Sequence, residues 1–359
     1  MTVNIFIIGL GLIGGSLGLA LRDTEKRIKV IGTDCDTETV QRALEIGAID
    51  ESSSLVQGTA QADVVFICTP LKTYPGIIEE IKPYLRDGCI VSDVGSTKQT
   101  VMQVFKTLPA NVWAIGGHPM AGAEIKGING ADRYLFENAV YVLTPGHNVP
   151  EHIIKYLNDL LSSTGARIKI MEDSIHDRVV AAISHIPHIA AVALVNLTAG
   201  REDELLLAAG GFRDSTRIAS STPELWEDIL FSNRDILLTK FDEFMNELKD
   251  IKMALESGNT ASLYNKLTLA KTIRDRIPKV RHGLIPGFSD IICIVPDLPG
   301  IIGMLGSILS RYSINIVDIE ILRVREGDGG TIRLGVPSLE DAETAVKALL
   351  SCDIKAWVK

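Results

Sequence analysis

The chain has 359 residues, of which 46% are hydrophobic and 23% charged, and this length and balance predict two or three globular domains. The formal net charge is −9 and no run of basic residues occurs, which argues against nucleic-acid binding. The five cysteines are scattered without a Cys-x-x-Cys pair, a pattern typical of a reducing cytoplasm and not of a cysteine-based zinc site. The first residues resemble a strand and not a signal peptide, so we expect a cytoplasmic protein without a metal or a membrane anchor.

The first predicted domain, residues 1–171, alternates short β-branched runs with helical patterns. This alternation predicts an α/β fold with a Rossmann-type, mostly parallel, doubly wound sheet. Strands are predicted at residues 3–8, 29–33, 64–68, 90–93, 113–116, 139–144 and 167–171. Helices are predicted at residues 14–21, 37–46 and 98–108.

The second predicted domain, residues 172–282, is all helical, because β-rich runs give way to long amphipathic segments. Helices are predicted at residues 174–197, 224–232, 233–256 and 260–277. The first is apolar nearly all round, so we expect it to be buried, against a second copy of the chain in a homodimer. It approaches membrane length, but His185, Pro187 and His188 favour a core helix over a membrane span.

The third predicted domain, residues 289–359, follows a linker that contains Pro286. Strands are predicted at residues 290–295, 314–324, 331–336 and 354–358, with a glycine-rich hairpin turn at 327–330. Helices are predicted at residues 300–311 and 339–350. The resulting βαββαβ order predicts a small ferredoxin-like α+β domain.

A glycine-rich fingerprint, Gly9-x-Gly11-x-x-Gly14, directly follows the first predicted strand and opens a helix. In this context the first glycine allows a tight turn, the second lets the backbone approach a pyrophosphate, and the third lets the helix pack on the strand. The turn at Thr69 and Pro70, after the strand at 64–68, should border the same site, although it is equally compatible with a simple strand-terminating turn. We therefore expect a dinucleotide to contact Gly9, Gly11, Leu12, Ile13, Gly14, Asp34, Thr69 and Pro70.

Asp34, which ends the predicted strand at 29–33, sets the expected cofactor preference. A carboxylate at this point can bind both ribose hydroxyls and repel a 2′-phosphate, which favours NAD over NADP. The alternative is that Asp34 only caps the following helix, a role that Asp36 or Thr37 could fill instead.

Two candidate catalytic residues follow neighbouring strands, where ligands bind in open α/β sheets. Ser96 lies just beyond the strand at 90–93 and could bind a cofactor or substrate hydroxyl, or cap the helix at 98–108. His118 lies in the run Gly-Gly-His-Pro-Met-Ala-Gly at 116–122, where small side chains leave room for a ligand beside the imidazole. An imidazole can take a proton near neutral pH, so we expect His118 to be the base in an alcohol oxidation. Glu124 could close over the site.

These motifs together resemble the prephenate dehydrogenases of tyrosine biosynthesis. The resemblance rests on the glycine fingerprint, on Asp93-x-Gly95-Ser96-x-Lys98 and on Gly117-His118-Pro119-Met120-Ala121-Gly122. It continues in the helical domain with His176-Asp177, Ser184-His185-Ile186-Pro187-His188, Gly210-Gly211-Phe212-Arg213-Asp214-x-Thr216-Arg217-Ile218-Ala219 and Trp226. The resemblance implies an enzyme that uses NAD to convert prephenate to 4-hydroxyphenylpyruvate by oxidative decarboxylation.

The resemblance also implies roles for individual residues. His118 would accept the hydroxyl proton, Ser96 would orient the imidazole and the hydroxyl, and Arg217 would clamp a carboxylate of the dianionic substrate. His188 would contact substrate, while Gly210 and Trp226 would shape the pocket. Asp214 would orient Arg217 or pair with Arg213. His176 and His185 fit a role as hydrogen-bonded core residues at least as well as a role in the site.

The loop at 295–303 and Asn315 resemble the ligand loop of ACT domains, which bind amino acids, usually between paired copies. The resemblance implies tyrosine as a feedback effector, contacted by Asp297, Gly300 and Asn315. The alternative is a dimerising module that no longer binds a ligand.

Other functions remain open at the level of sequence. Arogenate dehydrogenase is the nearest alternative, and an unpaired acidic residue in the pocket, for which Glu124 is the candidate, would favour it. A β-hydroxyacid or imine dehydrogenase is less consistent with the Gly-His-Pro motif, since those enzymes use a lysine of the helical domain. A non-catalytic amino-acid and redox sensor would leave Ser96, His118 and Arg217 without a purpose.

Overall fold

The computed structural model describes residues 2–22, 27–122, 127–277, 289–296, 298–325 and 329–358, with only the backbone of 322–325 and 329. The chain divides into two compact units, Met1–Arg276 and Ile277–Lys359. The first unit contains the predicted α/β and helical domains, and the second contains the predicted C-terminal domain.

An eight-stranded sheet forms the centre of the first part of unit 1, in the order β3-β2-β1-β4-β5-β6-β7-β8. Neighbouring strands are parallel except β6 and β7, which are antiparallel. The strands are β1 Val3–Ile8, β2 Ile28–Thr33, β3 Glu51–Ser52, β4 Val64–Ile67, β5 Ile90–Asp93, β6 Trp113–Pro119, β7 Val140–Pro145 and β8 Arg167–Ile170. The predicted mostly parallel sheet of Rossmann type is confirmed, and its central order is the one found in dinucleotide-binding folds.

Helices cover both faces of this sheet, which explains why its strands read as continuous apolar runs. The helices are α1 Leu12–Arg22, α2 Thr37–Glu45, α3 Leu55–Gln61, α4 Tyr74–Ile81, α5 Gln99–Phe105 and α6 Glu151–Ser162. Strand β1 illustrates the two-sided burial: Ile5 and Ile7 belong to one apolar cluster, and Phe6 belongs to the cluster on the other side. This core holds the carboxyl ends of the strands in a fixed row, which is where the site lies.

The second part of unit 1 is helical, as predicted. Its helices are α7 Asp173–Val180, α8 Ile186–Leu197, α9 Glu202–Leu206, α10 Gly210–Thr216, α11 Pro223–Ser232, α12 Arg234–Glu256 and α13 Thr260–Arg276. The single helix predicted at 174–197 is interrupted by a π-helical turn, Ala181–His185, between α7 and α8. Pro187 explains the interruption, because proline lacks the amide donor for the carbonyl of Ile183 and its ring crowds that carbonyl.

The segment Asp173–Leu197 departs from the expectation of burial on all sides. By length and composition the segment could cross a membrane, since an 18-residue window within it has a mean hydropathy of 1.7. Only 33% of that window is buried. Ile183 is 62% exposed and Leu197 66% exposed. His176 and Asp177 of the same segment are buried, and buried polar groups fit a core helix better than a membrane span. Burial of the exposed side against a second copy stays a prediction.

Unit 2 has the predicted βαββαβ order. Its elements are β9 Ser289–Val295, α14 Ile301–Ser310, β10 Asp318–Arg325, β11 Gly329–Val336, α15 Leu339–Leu350 and β12 Lys355–Val358. The antiparallel sheet has the order β10-β11-β9-β12, and Leu305 and Leu309 of α14 pack in one core with Leu349 of α15 and the sheet.

The second strand of unit 2 begins at Asp318 and not at residue 314, so the prediction that Asn315 lies in this strand was wrong. Ser313 has a positive φ of 58°, and the amide of Ile314 donates to the carbonyl of Leu309 at 3.2 Å. Ile314 therefore closes the end of α14 and contributes to the core from there, which explains its apolar side chain without a strand.

Candidate active site

The glycine fingerprint forms a tight turn between β1 and α1. Gly9 has a positive φ of 95°, a conformation that favours glycine. A Cβ on Gly14 would lie 2.0 Å from the carbonyl oxygen of Gly9, so helix and strand approach closely here. A Cβ on Gly11 would meet nothing within 4 Å, and Gly11 lines the large cavity of unit 1. The second glycine thus leaves open space at the start of α1, which fits a pyrophosphate at a helix N-terminus.

Asp34 and Asp36 have separate roles. The carboxylate of Asp36 caps α2 by accepting from the amides of Glu38 and Thr39, at 3.2 Å each. Asp34 instead accepts from the amide of Leu10 at 2.7 Å and from the amide of Asp36 at 3.0 Å. Asp34 is therefore held against the glycine turn, where it can meet a ribose, and the capping role falls to Asp36.

One cavity of about 1270 Å³ joins the dinucleotide turn to the helical part of unit 1. It lies at the carboxyl ends of β1, β4, β5 and β6, the edge at which ligands bind in such sheets. Of the residues predicted from the sequence, those that line it are Gly11, Leu12, Ile13, Thr69, Pro70, Ser96, His118, Arg217 and Trp226. The cofactor, proton-transfer and substrate candidates therefore share one space.

Three other predicted substrate residues do not line this cavity. Gly210 and Asp214 are exposed and lie outside the lining. His188 lies behind Trp226: the two rings are stacked with centroids 3.5 Å apart and planes 5° apart. His188 is 4% exposed and its Nδ1 has no partner among the described residues, so it contributes by supporting the indole. Glu124 lies outside the described residues.

A chain of three buried or half-buried side chains runs behind the cavity. Nδ1 of His118 lies 2.8 Å from Nε2 of His176, and Nδ1 of His176 lies 2.8 Å from Oδ1 of Asp177. Asp177 also accepts from the backbone amides of Lys98 at 2.7 Å and Gln99 at 2.8 Å, which open α5. These bonds hold α7 of the helical part against the nucleotide-binding part, and they place His176 behind His118.

This chain determines the protonation of His118. Because the carboxylate of Asp177 can only accept, His176 carries its hydrogen on Nδ1 and accepts on Nε2. His118 then donates from Nδ1, which leaves a lone pair on its Nε2. Burial lowers the pKa of His118 well below its ordinary value, with further lowering by the nearby His176 and Lys98. His118 is therefore a neutral imidazole at pH 7 with one nitrogen able to take a proton.

Two histidines of the segment Asp173–Leu197, His185 and His188, are also uncharged at neutral pH. Burial lowers the pKa of His185 to about 4, and burial also lowers the pKa of His188. Nδ1 of His185 lies 3.3 Å from the side-chain amide of Asn233, which in turn donates to the carbonyl of Asp177 at 2.9 Å. His185 thus acts as a hydrogen-bonded core residue, one of the two interpretations of the sequence.

Sequence reasoning left the role of His176 open, and it named Asp177, Lys98 and Arg213 within motifs without giving them a role in the site. His176-Asp177 lies 58 residues from His118, so no local pattern signals its contact with that ring. Lys98 is fully buried against Asp93, with Nζ 2.5 Å from Oδ2. The sequence shows Asp93 and Lys98 at and just after the end of a predicted strand, but it does not show that both side chains are buried. Arg213 lines the cavity together with Arg217.

Unit 2 holds a second, smaller cavity of about 430 Å³. It is lined by residues 295–296 and 298–303 of the loop and start of α14, with Ile321, Gly330 and Ile332 of the sheet. Gly300 has a positive φ of 89° and caps α14. Asn315 is exposed and outside this lining, and Asp297 lies outside the described residues.

The parallel sheet, its glycine turn and the neutral histidine beside it define a dinucleotide-dependent dehydrogenase with a helical partner domain. Two family models match the chain: the prephenate dehydrogenase nucleotide-binding domain at residues 17–170 and the prephenate dehydrogenase dimerization domain at residues 172–269. A prephenate dehydrogenase of Bacillus subtilis is 38% identical over 97% of this chain and 96% of its own length. The chain belongs to the prephenate dehydrogenase family.

Other relatives cover the chain to different extents. The cyclohexadienyl dehydrogenase of Zymomonas mobilis is 33% identical over 72% of this chain and 90% of its own length. A crystal structure of Aquifex aeolicus prephenate dehydrogenase with hydroxyphenyl propionate and NAD+ has a TM-score of 0.72 at 29% identity, over 77% of this chain and 98% of that chain. Synechocystis arogenate dehydrogenase has a TM-score of 0.67 at 31% identity, over 77% and 100%.

Proposed function

We propose that this chain is an NAD-dependent dehydrogenase that converts prephenate to 4-hydroxyphenylpyruvate by oxidative decarboxylation. The observation that carries the proposal is the neutral His118, held by His176 and Asp177, in the cavity that begins at the dinucleotide turn. Family membership and the NAD+ bound to the Aquifex aeolicus relative support the same reaction.

The residues of the glycine turn would hold NAD. The open space at Gly11 would receive the pyrophosphate at the start of α1, and the carboxylate of Asp34, held at the turn by the amide of Leu10, would accept from the ribose hydroxyls. Thr69 and Pro70 border the same cavity beyond β4. NAD supplies the acceptor for the hydride that leaves the substrate carbon.

His118 takes the hydroxyl proton on Nε2 as the hydride leaves the carbon that carries the hydroxyl. The imidazolium that forms still donates its Nδ1 hydrogen to Nε2 of His176. The carboxylate of Asp177, which accepts from His176, stabilises the positive charge through that ring. Loss of the ring carboxylate as carbon dioxide makes the ring aromatic and leaves a phenolate oxygen. The His118 imidazolium returns its Nε2 proton to that oxygen, which gives the hydroxyl of the product and regenerates the neutral base. Ser96 lines the cavity and orients the hydroxyl toward His118.

The helical part would bind the rest of the dianionic substrate. Arg217 lines the cavity and offers a planar, two-pronged donor to a carboxylate, and Arg213 adds a second guanidinium on the same wall. Trp226, fixed by its stack on His188, provides an apolar wall for the ring.

We further propose three domains, at residues 1–171, 172–282 and 289–359, and a cytoplasmic homodimer. The match to a dimerization domain at 172–269 and the exposed apolar side of Asp173–Leu197 support the dimer. The βαββαβ order and the loop cavity at Gly300 support an ACT-type domain that binds tyrosine as a feedback effector. Asn315 would reach that ligand from a paired copy.

The experiment is an NAD reduction assay that compares prephenate with arogenate, each with and without tyrosine. We expect prephenate to give NADH and 4-hydroxyphenylpyruvate with a much higher kcat/KM than arogenate. We also expect tyrosine, and not phenylalanine, to inhibit the reaction. A higher kcat/KM for arogenate would show that arogenate and not prephenate is the substrate. The absence of NADH with either compound would refute the proposed dehydrogenase activity.

A further inference from the structure

A buried carboxylate lies between the two segments that carry Ser96 and His118. Asp93 ends β5 and is fully buried. Its Oδ2 accepts from the amide of Gly95 at 2.7 Å, and its Oδ1 accepts from the amide of Gly117 at 2.9 Å. One carboxylate therefore binds the residue before Ser96 and the residue before His118.

The segments of Gly95 and Gly117 pack closely against Asp93. A Cβ on Gly95 would lie 2.8 Å from Oδ2 of Asp93, and a Cβ on Gly117 would lie 2.4 Å from the carbonyl oxygen of Asp93. The hydroxyl of Tyr74 also donates to Oδ2 at 3.3 Å. The two glycines thus allow both segments to approach Asp93 closely, Gly95 at the carboxylate and Gly117 at the backbone carbonyl, which fixes the separation of the two segments.

Lys98 supplies the counter-charge. Its side chain is fully buried, and its Nζ lies 2.5 Å from Oδ2 of Asp93. Burial lowers the pKa of Lys98, and the carboxylate of Asp93 opposes that shift by favouring the cation. Because a buried carboxylate without a cation is strongly unfavourable, the anchor at Asp93 depends on Lys98.

We propose that Asp93 and Lys98 are positioning residues for the reaction: Asp93 fixes Ser96 and His118 relative to one another, and Lys98 balances the buried charge of that carboxylate beside His118. This inference rests on the proposed role of His118 as the proton acceptor. It assigns a purpose to the buried ion pair of Asp93 and Lys98.

The charge around His118 comes from several elements. Lys98 and Asp93 face it from β5 and the following loop, His176 and Asp177 from α7, and His185 from the π-helical turn. Burial raises the pKa of Tyr141, on the neighbouring strand β7, well above its ordinary value, so Tyr141 stays uncharged. Lys98 adds to the lowering of the His118 pKa by burial and His176, and its own ammonium is paired with the carboxylate of Asp93.

The first test is an NMR titration of the His118 imidazole, assigned by the loss of its signal in His118→Asn. In Lys98→Met we expect the pKa of His118 to rise by about one unit or more, because a nearby cation that disfavours the imidazolium is gone. Lys98→Gln, which keeps a donor for Asp93, gives the same rise if the Met variant does not fold. Lys106→Met, an exposed lysine just after α5, is the matched control and leaves the titration unchanged. An unchanged titration in Lys98→Met or Lys98→Gln overturns the electrostatic role.

The second test separates positioning from folding. Asp93→Asn should lower kcat by about 100-fold, with a KM for NAD near that of the native chain. The double variant Asp93→Asn with Lys98→Met removes both buried charges, so we expect its Tm to recover while kcat stays low. Recovery of kcat together with Tm would show a merely structural pair and overturn the proposal. The titration needs no substrate, so it also distinguishes failure here from failure of the proposed reaction, which appears as an inactive native chain.

Discussion

The basicity of His118 depends on residues that never reach the substrate. Asp177 sets the tautomer of His176, and His176 sets the nitrogen from which His118 donates. Burial keeps the ring neutral, so the proton acceptor is ready at neutral pH. Arg217, by contrast, is an exposed side chain on the cavity wall, where its charge can meet a carboxylate from solvent.

The pH profile of kcat/KM should reflect this burial. A base works only when it is deprotonated, so activity is lost as the pH falls through the pKa of His118. Because burial lowers that pKa well below its ordinary value, we expect kcat/KM to stay level from pH 7.5 down to about pH 6 and to decline only below it. A half-maximal rate at or above about pH 6.5 would contradict a depressed pKa.

Substitution of Arg217 tests the substrate clamp. In Arg217→Ala we expect the KM for prephenate to rise by about 10- to 100-fold with a smaller change in kcat, because the guanidinium binds substrate and transition state alike. Arg178→Ala, an exposed arginine outside the cavity lining, is the control. Steady-state kinetics at saturating NAD give both constants, and a native KM in Arg217→Ala would remove it from the clamp.

At the scale of elements, the glycine turn separates folding from cofactor binding. Gly14 is required by packing, since a Cβ there would lie 2.0 Å from the carbonyl oxygen of Gly9. Gly11 is required only by what binds beside it, since its surroundings are open. The same pair of strand and helix therefore holds one glycine for structure and one for the ligand.

These two glycines give a matched pair of variants. We expect Gly14→Ala to lower the free energy of unfolding by about 2 kcal/mol, because the added methyl overlaps the turn. Gly11→Ala should melt like the native chain but bind NAD about tenfold more weakly or worse, because the methyl occupies the pyrophosphate space. Calorimetric melting and NAD titration measure the two effects. Equal NAD affinity in Gly11→Ala and the native chain would contradict this placement of the cofactor.

Most strands and long helices could be predicted from the sequence. Strands that are buried on both faces consist of apolar runs, and the long helices show a helical period of apolar residues. The two-residue strand Glu51–Ser52 is too short to show a period, and the π-helical turn Ala181–His185 follows from a proline whose effect on the preceding turn has several outcomes. The β-branched residues at 314, 316 and 317 predict a strand. Ile314 is apolar for another reason, because it closes the end of α14 and packs in the core from there.

The candidate site was predictable where it lies at strand ends and not where it depends on distant contacts. Ser96 follows β5 and His118 lies near the end of β6, Trp113–Pro119, so the edge of the sheet brings them together. The contact of His176 with His118 joins residues of different domains, so no spacing reports it. Burial of Lys98 likewise follows from the packing of α7 on α5, which only the three-dimensional structure gives.

At the scale of the whole molecule, the chain divides into a catalytic unit and a smaller α+β unit. The first contains the cofactor turn, the histidine chain and the arginine wall, so it holds every described residue that the proposed reaction needs.

Truncation after Arg276 tests this division. We expect the shortened chain to reduce NAD with prephenate at a kcat close to that of the full chain, and to lose inhibition by tyrosine. The comparison is made by titrating tyrosine into both chains at the same prephenate concentration. Tyrosine inhibition that survives truncation would place the effector in the catalytic unit and refute an ACT-type role for unit 2.

The most direct test of the central claim is the turnover of His118→Asn on prephenate, measured together with its affinity for NAD. Asparagine keeps a polar side chain but cannot take the proton, so we expect kcat to fall by about 100-fold or more while the Kd for NAD stays native. Turnover of His118→Asn near that of the native chain would contradict the assignment of His118 as the proton acceptor.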